Sequence, residues 1–207
     1  MTAAGRPATM QARGRKRRDA LLAAARGLLA EHESDQITLV DVAARAGIPK
    51  SSAYHFYADA LELYNELVAM LDAELQAAIA EPIGAAEGWE QIFGEVIDRA
   101  ALYFEAHPAA QQLMLASQTP PAVKRSSRRA DIETSGLIEQ HIDAQFVMPE
   151  IPDRSRIFFH AVEAADLMFG LSLFQHGALR TDMVDEAKKM ACAYLGLYLP
   201  RFLPRRD

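Results

Sequence analysis

The side chains with the most distinctive chemistry lie close together in the chain. Lys50, Ser51 and Ser52 are followed by Tyr54, His55, Phe56 and Tyr57. A cation, two short hydroxyls and three rings with polar tips suit hydrogen bonding to base edges and to phosphates. Upstream, the run Arg13-Gly14-Arg15-Lys16-Arg17-Arg18 adds cations that a polyanion attracts. Other chemistries are poorly represented. The six His residues show no H-x-x-x-H spacing and no nearby Cys, so no metal site is expected. No nucleophile elbow, phosphate loop or metal-binding helix occurs, so no catalytic residue is assigned and no cofactor is expected. The single cysteine, Cys192, excludes an internal disulfide and reads as a small core or interface residue.

Helices must position these residues. Thr38-Leu39-Val40-Asp41 is a capping-box start in which Thr38 and Asp41 satisfy each other's backbone amides. It opens a helix over 39–46 that ends at Gly47, a residue free to turn left-handed. Ile48-Pro49 interrupts the helical run, and a short helix over 50–56 follows. Asp59 and Glu62 mark the next start, and helix 59–81 keeps Leu63, Tyr64, Leu67, Leu71 and Leu75 on one apolar face until Pro82. Before the motif, Leu21, Leu22, Ala25, Leu28 and Leu29 predict an amphipathic helix over 16–32. Residues 1–14 are small, polar and contain Pro and Gly, and read as a disordered arm; Met10 is a second candidate start.

Helix, Gly turn and short polar-tipped helix together make a helix-turn-helix, whose second helix enters a major groove about 12 Å wide. Residues 37–57, ITLVDVAARAGIPKSSAYHFY, with their flanks over about 16–68, resemble the TetR family of bacterial transcriptional regulators. The resemblance implies an all-α fold: an N-terminal three-helix helix-turn-helix domain and a larger C-terminal helical domain for ligand binding and dimerisation. The corresponding boundaries are an arm over 1–14, a DNA-binding domain over 15–62 and a regulatory domain over 63–207. It implies double-stranded DNA as partner. The contacts would come from Arg15, Arg17 and Arg18, from Thr38, from Lys50, Ser51, Ser52 and Tyr54 on the recognition helix, and from His55 and Tyr57 as phosphate grips. Phe56 reads as core. Ala60 departs from the family, which usually has a phosphate-contacting Lys there.

Downstream, helices are predicted over 86–106, 108–117, 129–146, 153–176 and 182–199. Ser117 to Pro121 reads as a loop extended by the basic stretch Lys124 to Arg129. Aromatic and Met side chains in these helices can line a pocket for a small-molecule effector. The candidates are Trp89, Phe93, Tyr103, Phe104, His107, Met114, His141, Phe159 and Met168. The last two helices carry more than one apolar stripe, so one stripe is left for a second copy of the chain. Ile157, Ala161, Met168, Ala187, Met190 and Tyr194 are the candidates for that homodimer interface.

Charge divides the same way. Residues 1–57 carry nine Lys/Arg against five Asp/Glu, whereas 58–207 carry thirteen against twenty-three, within an overall net charge of −6. A basic head on an acidic body suggests two different partners. No run approaching the ~18 apolar residues of a membrane span is apparent, and a cytoplasmic location is expected. The resulting reading is a homodimeric repressor that a small molecule releases from a pseudo-palindromic operator. A regulator without a small ligand, and an activator, stay open as alternatives.

Overall fold

The computed structural model describes residues 6–206, with side chains from residue 11 onward. Among these residues the fold is all-α, as expected. Its elements are α1 (Arg6–Leu28), α2 (Leu39–Arg45), α3 (Lys50–Phe56), α4 (Ala60–Ala80), α5 (Trp89–Ala106), α6 (Pro108–Ala110), α7 (Pro121–Gln145), α8 (Arg154–His176) and α9 (Thr181–Leu195). A 3₁₀ turn over Ser34–Gln36 precedes α2, and α6 runs into a π-helical turn over Gln111–Leu115.

The chain forms two compact units, Met1–Leu67 and Val68–Asp207. The division falls inside α4, after Leu67 rather than after Glu62. Leu63, Tyr64 and Leu67 are buried, and the Tyr64 hydroxyl donates to the Ser34 carbonyl at 3.1 Å, which ties the start of α4 to the first unit. The core of that unit is the apolar stripe of α1 (Leu21, Leu22, Ala25, Leu28), continued by Leu29 just past its end, with Leu39, Val42 and Ala43 of α2. In the second unit α8 packs along both α7 and α9, and α5 packs on α9. Gly177, at φ 70°, makes the left-handed turn that reverses α8 into α9.

Five expectations are corrected. The N-terminal segment is helical from Arg6, so the basic run rides on α1 and not on a disordered arm; residues 1–5 of that arm lie outside the described residues. Pro7 lies in the first turn, where a missing amide costs nothing, and Gly14 is tolerated within a long helix. The basic stretch Lys124 to Arg129 is helix, not loop. Pro121 sits at the first position of α7, where its fixed φ starts a helix, and no Pro lies between it and Gln145. The expected 108–117 helix is one α-turn followed by the π-turn, and α9 ends at Leu195 ahead of Gly196. Finally, α8 is long and apolar enough to cross a membrane, with a mean hydropathy of 1.5 over its most apolar window. It nonetheless carries Glu163 and Asp166 mid-helix and packs on α7 and α9, as a core helix does.

Candidate functional site

The first candidate site is assembled by local signals in the first unit. Thr38 caps α2: its hydroxyl oxygen accepts from the Asp41 amide at 3.3 Å, and the Asp41 carboxylate accepts from the Thr38 amide at 2.9 Å. The Thr38 hydroxyl also donates to that carboxylate at 2.6 Å, and this bond, then the one from the Thr38 amide, holds the Asp41 carboxyl below the usual range. Gly47 takes φ 65°, where a β-carbon is strained, and lets the chain turn from α2 into α3. The Ile48 amide donates back to the Ala43 carbonyl at 2.9 Å and closes the turn. Pro49 then sets the extended entry into α3.

Along α3, Ala53 is fully buried against the unit's core, while Lys50 and Ser51 are exposed and Ser52 partly so. Tyr54 is 46% exposed, and the Lys50 ammonium lies 5.7 Å from its ring centroid. His55 is exposed, and its ring meets Phe56 edge-on at 5.6 Å. The basic run of α1 reaches the same surface. Arg13, Lys16 and Arg17 line one open recess with Gly47 and Ile48, and Arg17 Nη1 donates to Ser52 Oγ at 3.5 Å. Arg15 is exposed on α1.

One of the assigned contacts is corrected here, and another has a partner within the unit. Tyr57 is 2% exposed, and its hydroxyl donates to Glu66 at 2.7 Å, so it anchors the end of α3 inside the unit and cannot grip a phosphate. Burial, then the Glu66 bond, pushes its phenol well above the ordinary range. Arg18 is exposed and pairs with Glu66: Nη2 lies 2.7 Å from that carboxylate and Nε donates to it at 2.9 Å. The spacing of aromatics after a recognition helix does not reveal which ring turns inward.

The second unit holds a cavity of about 200 Å³ between α7, α8 and the π-turn. Leu115, Leu167, Leu171 and Phe174 supply its apolar walls. Gly170 lets α8 approach the π-turn closely: an added β-carbon would stand 3.1 Å from the Leu115 carbonyl oxygen. A narrow annex of about 20 Å³ continues past Phe104 and Phe169. Met114, Ser127, Asp131 and Asp166 line both spaces.

Acidic groups gather here in a low-dielectric setting. Burial, then the charge on Asp166, pushes Asp131 up to about 8, against the pull of Arg128. Burial, then Glu163, raises Asp166 to about 7. On α4, burial and then Asp131 raise Asp72 to about 7, although Ser127 bonds to it. Glu163 is raised by burial and opposed by Arg128, its ion-pair partner. None of these acids was singled out in the sequence. The available signal was an acid at an inward position: Asp131 between Ser127 and Ser135 on the buried face of α7, and Asp166 beside Ala165 and Phe169 in an otherwise apolar helix.

Of the residues expected around an effector, Met114 lines both spaces and Phe104 the annex. The others line neither. Trp89 donates to the Pro200 carbonyl at 3.0 Å, and Phe93 is fully buried core. The Tyr103 hydroxyl donates to the Leu71 carbonyl at 3.0 Å, and His107 stacks on that ring at 4.2 Å. His141 bonds the Ile79 carbonyl at 2.8 Å, and Phe159 and Met168 are half-buried. Among the interface candidates, Ile157, Ala161 and Ala187 are buried inside the chain and have no surface left for a partner. Met190 is exposed and Tyr194 half-buried, its hydroxyl 3.0 Å from His160 Nδ1. Along α8, α9 and the turn that follows α9, the large apolar side chains that face outward are Leu167, Phe174, Met190, Leu197 and Tyr198. Cys192 is half-buried, and burial pushes its thiol up to about 11, which disfavours a reactive thiolate.

A family model described as the tetracyclin repressor-like C-terminal domain matches residues 87–199. No curated protein matches the sequence. Among solved structures, the chain is similar to a TetR-family transcriptional regulator from Streptomyces coelicolor, at 22% identity and TM-score 0.70 over 88% of this chain and 99% of that one. It is also similar to a TetR transcriptional regulator from Rhodococcus sp. RHA1, at 17% identity and TM-score 0.65 over 87% and 96%. A fatty acid degradation regulator from Bacillus halodurans follows at 15% identity and TM-score 0.58, over 87% and 95%.

Proposed function

The chain belongs to the TetR family of bacterial transcriptional regulators, and from that premise we propose that it is a homodimeric repressor released from its operator by a small molecule. The observation that carries the DNA-binding half is the exposed face of α3. Lys50, Ser51 and Tyr54 stand outward on a helix whose entry is set by the Gly47 turn. Arg15 and Arg17, on α1, extend the basic surface that would follow the phosphate backbone. His55 and Thr38 are exposed at its margins.

Two such heads, one helical turn or a multiple apart, would read a pseudo-palindrome. The apolar side chains turned outward on α9 and on the turn that follows it support the pairing, since Met190 and Leu197 are 41% and 76% exposed. The cavity of the second unit is the effector site in this reading. An effector acts only through its differential affinity for the DNA-fitting and released states. α4 contributes residues to both units and is the segment through which that preference would pass. The protein would act in the cytoplasm, without catalysis.

Selection from a random duplex pool tests this reading, with sedimentation run alongside. Enrichment of an inverted repeat bound by a dimer is expected. A monomer, or a pool without enrichment, would refute it.

A further inference from the structure

We propose that the cavity between α7 and α8 takes an organic ammonium ion with an apolar tail, its N–H groups donating to the carboxylates of Asp131 and Asp166. This deepens the effector reading above and rests on it for its regulatory meaning. The chemistry itself rests on three observations.

The first is an unmet acceptor. Asp131 is 8% exposed, lines both the cavity and its annex, and accepts no hydrogen bond from the described residues. A buried carboxylate without donors is costly, so its place is explained by a partner that arrives from outside. Asp166, on the facing helix, also accepts no hydrogen bond and lines the same two spaces. Glu163 adds an orphan: its Oε1 is buried without a partner, while Oε2 pairs with Arg128. Three carboxyl groups thus keep acceptor capacity toward one cavity.

The second is the distribution of charge. The groups facing the cavity are Asp131, Lys124 and Arg128 from α7 and Glu163 and Asp166 from α8, with Asp72 of α4 acting on Asp131 and Asp166. His160 and Glu133 contribute from farther out. Arg128 is spent on Glu163, and its side chain is 53% exposed. Three acids thus line the cavity against two cations, one of which is already paired with Glu163, so the lining carries an acidic excess, the reverse of an anion site. No three His, Cys, Asp or Glu among the described residues are placed to hold a metal ion. The charge that fits is carried on an organic molecule.

The third is shape. The annex holds about one water, so the tail must lie in the wider space along Leu167, Leu171 and Phe174. The raised carboxyl values of Asp131, Asp166 and Asp72 mean that protons compete for these groups near neutral pH. An ammonium ion would replace a proton as counter-charge, so binding would release protons near neutral pH.

Calorimetry on the full chain tests this with hexylammonium, hexanol and hexanoate, in two buffers of different ionisation enthalpy. Hexylammonium should bind with proton release, and the other two should bind at least ~10-fold more weakly. Asp131→Asn should lose at least ~10-fold of the hexylammonium affinity. Because that variant removes a charge from a buried site, its fold should survive, which an unchanged circular dichroism spectrum would confirm. Preference for hexanoate, equal binding of hexanol, absence of hexylammonium binding, or an unaffected Asp131→Asn variant would each overturn the proposal. Operator DNA added to the same samples separates the two ideas. Hexylammonium bound without DNA release refutes the effector reading and leaves the ammonium site standing. DNA release by hexanoate or hexanol does the opposite.

Discussion

The Tyr57 hydroxyl donates to the Glu66 carboxylate at 2.7 Å, joining the end of the short helix α3 to α4. Arg18 of α1 closes on the same oxygen. Three helices of the first unit therefore meet at one carboxylate, and the ring expected to touch DNA is its buried strut. Tyr57→Phe removes one hydrogen bond and should destabilise the protein by about 1 kcal/mol in urea denaturation. Its effect on DNA affinity should come without change in the slope of log affinity against log salt, because no phosphate contact is lost. A shallower slope would restore Tyr57 as a phosphate ligand.

Thr38→Ala breaks the reciprocal bonds with Asp41 and should cost about 1 kcal/mol of stability. Thr38→Ser keeps the hydroxyl and should restore most of it. Equal melting curves for the two variants would show that the cap contributes nothing.

Gly47 and Gly136 should respond in opposite directions to the same change. Gly47→Ala forces a β-carbon into a left-handed turn at φ 65° and should cost about 1–2 kcal/mol. Gly136 lies inside α7 with nothing within 4 Å of an added β-carbon. Gly136→Ala should therefore stabilise by up to about 1 kcal/mol. Urea midpoints of both variants check the pair.

The buried acids give the second unit a definite pH dependence. A carboxyl whose folded value is raised holds its proton more tightly when folded, so its stabilisation is full below its unfolded value near 4. It is lost as pH rises through the folded value. With Asp72 and Asp166 at about 7 and Asp131 at about 8, the melting temperature should fall between pH 5.5 and 8.5. Asp131→Asn should flatten that fall and melt higher than the parent at pH 8.5. A melting temperature that rises over this range would contradict the placement of these groups.

The reading head was legible because each of its signals is local. Thr38 with Asp41, Gly47 as a turn and Pro49 before α3 each act within a few residues, so the chain order alone reveals them. The early start of α1 was hidden because residues 6–15 carry few apolar side chains, and helical periodicity has little there to register. The outer surface of α8 and α9 was hidden for another reason. A stripe such as Ile157 and Ala161 has the same spacing whether it meets a helix of its own chain or of a second copy. Ala187 is indistinguishable in the same way, and burial places all three inside. Asp131 and Asp166 escaped notice because a charged residue within an apolar helix reads as a solvated exception until the fold shows which way it faces.

The most direct measurement is fluorescence anisotropy on the selected duplex, titrated with salt, for the parent chain and Lys50→Ala. Tight binding by the parent, weakened in the variant with a salt slope shallower by about 1, is the expected result. Parent and variant binding operator and random duplex with the same affinity and slope would contradict α3 as the element that reads DNA.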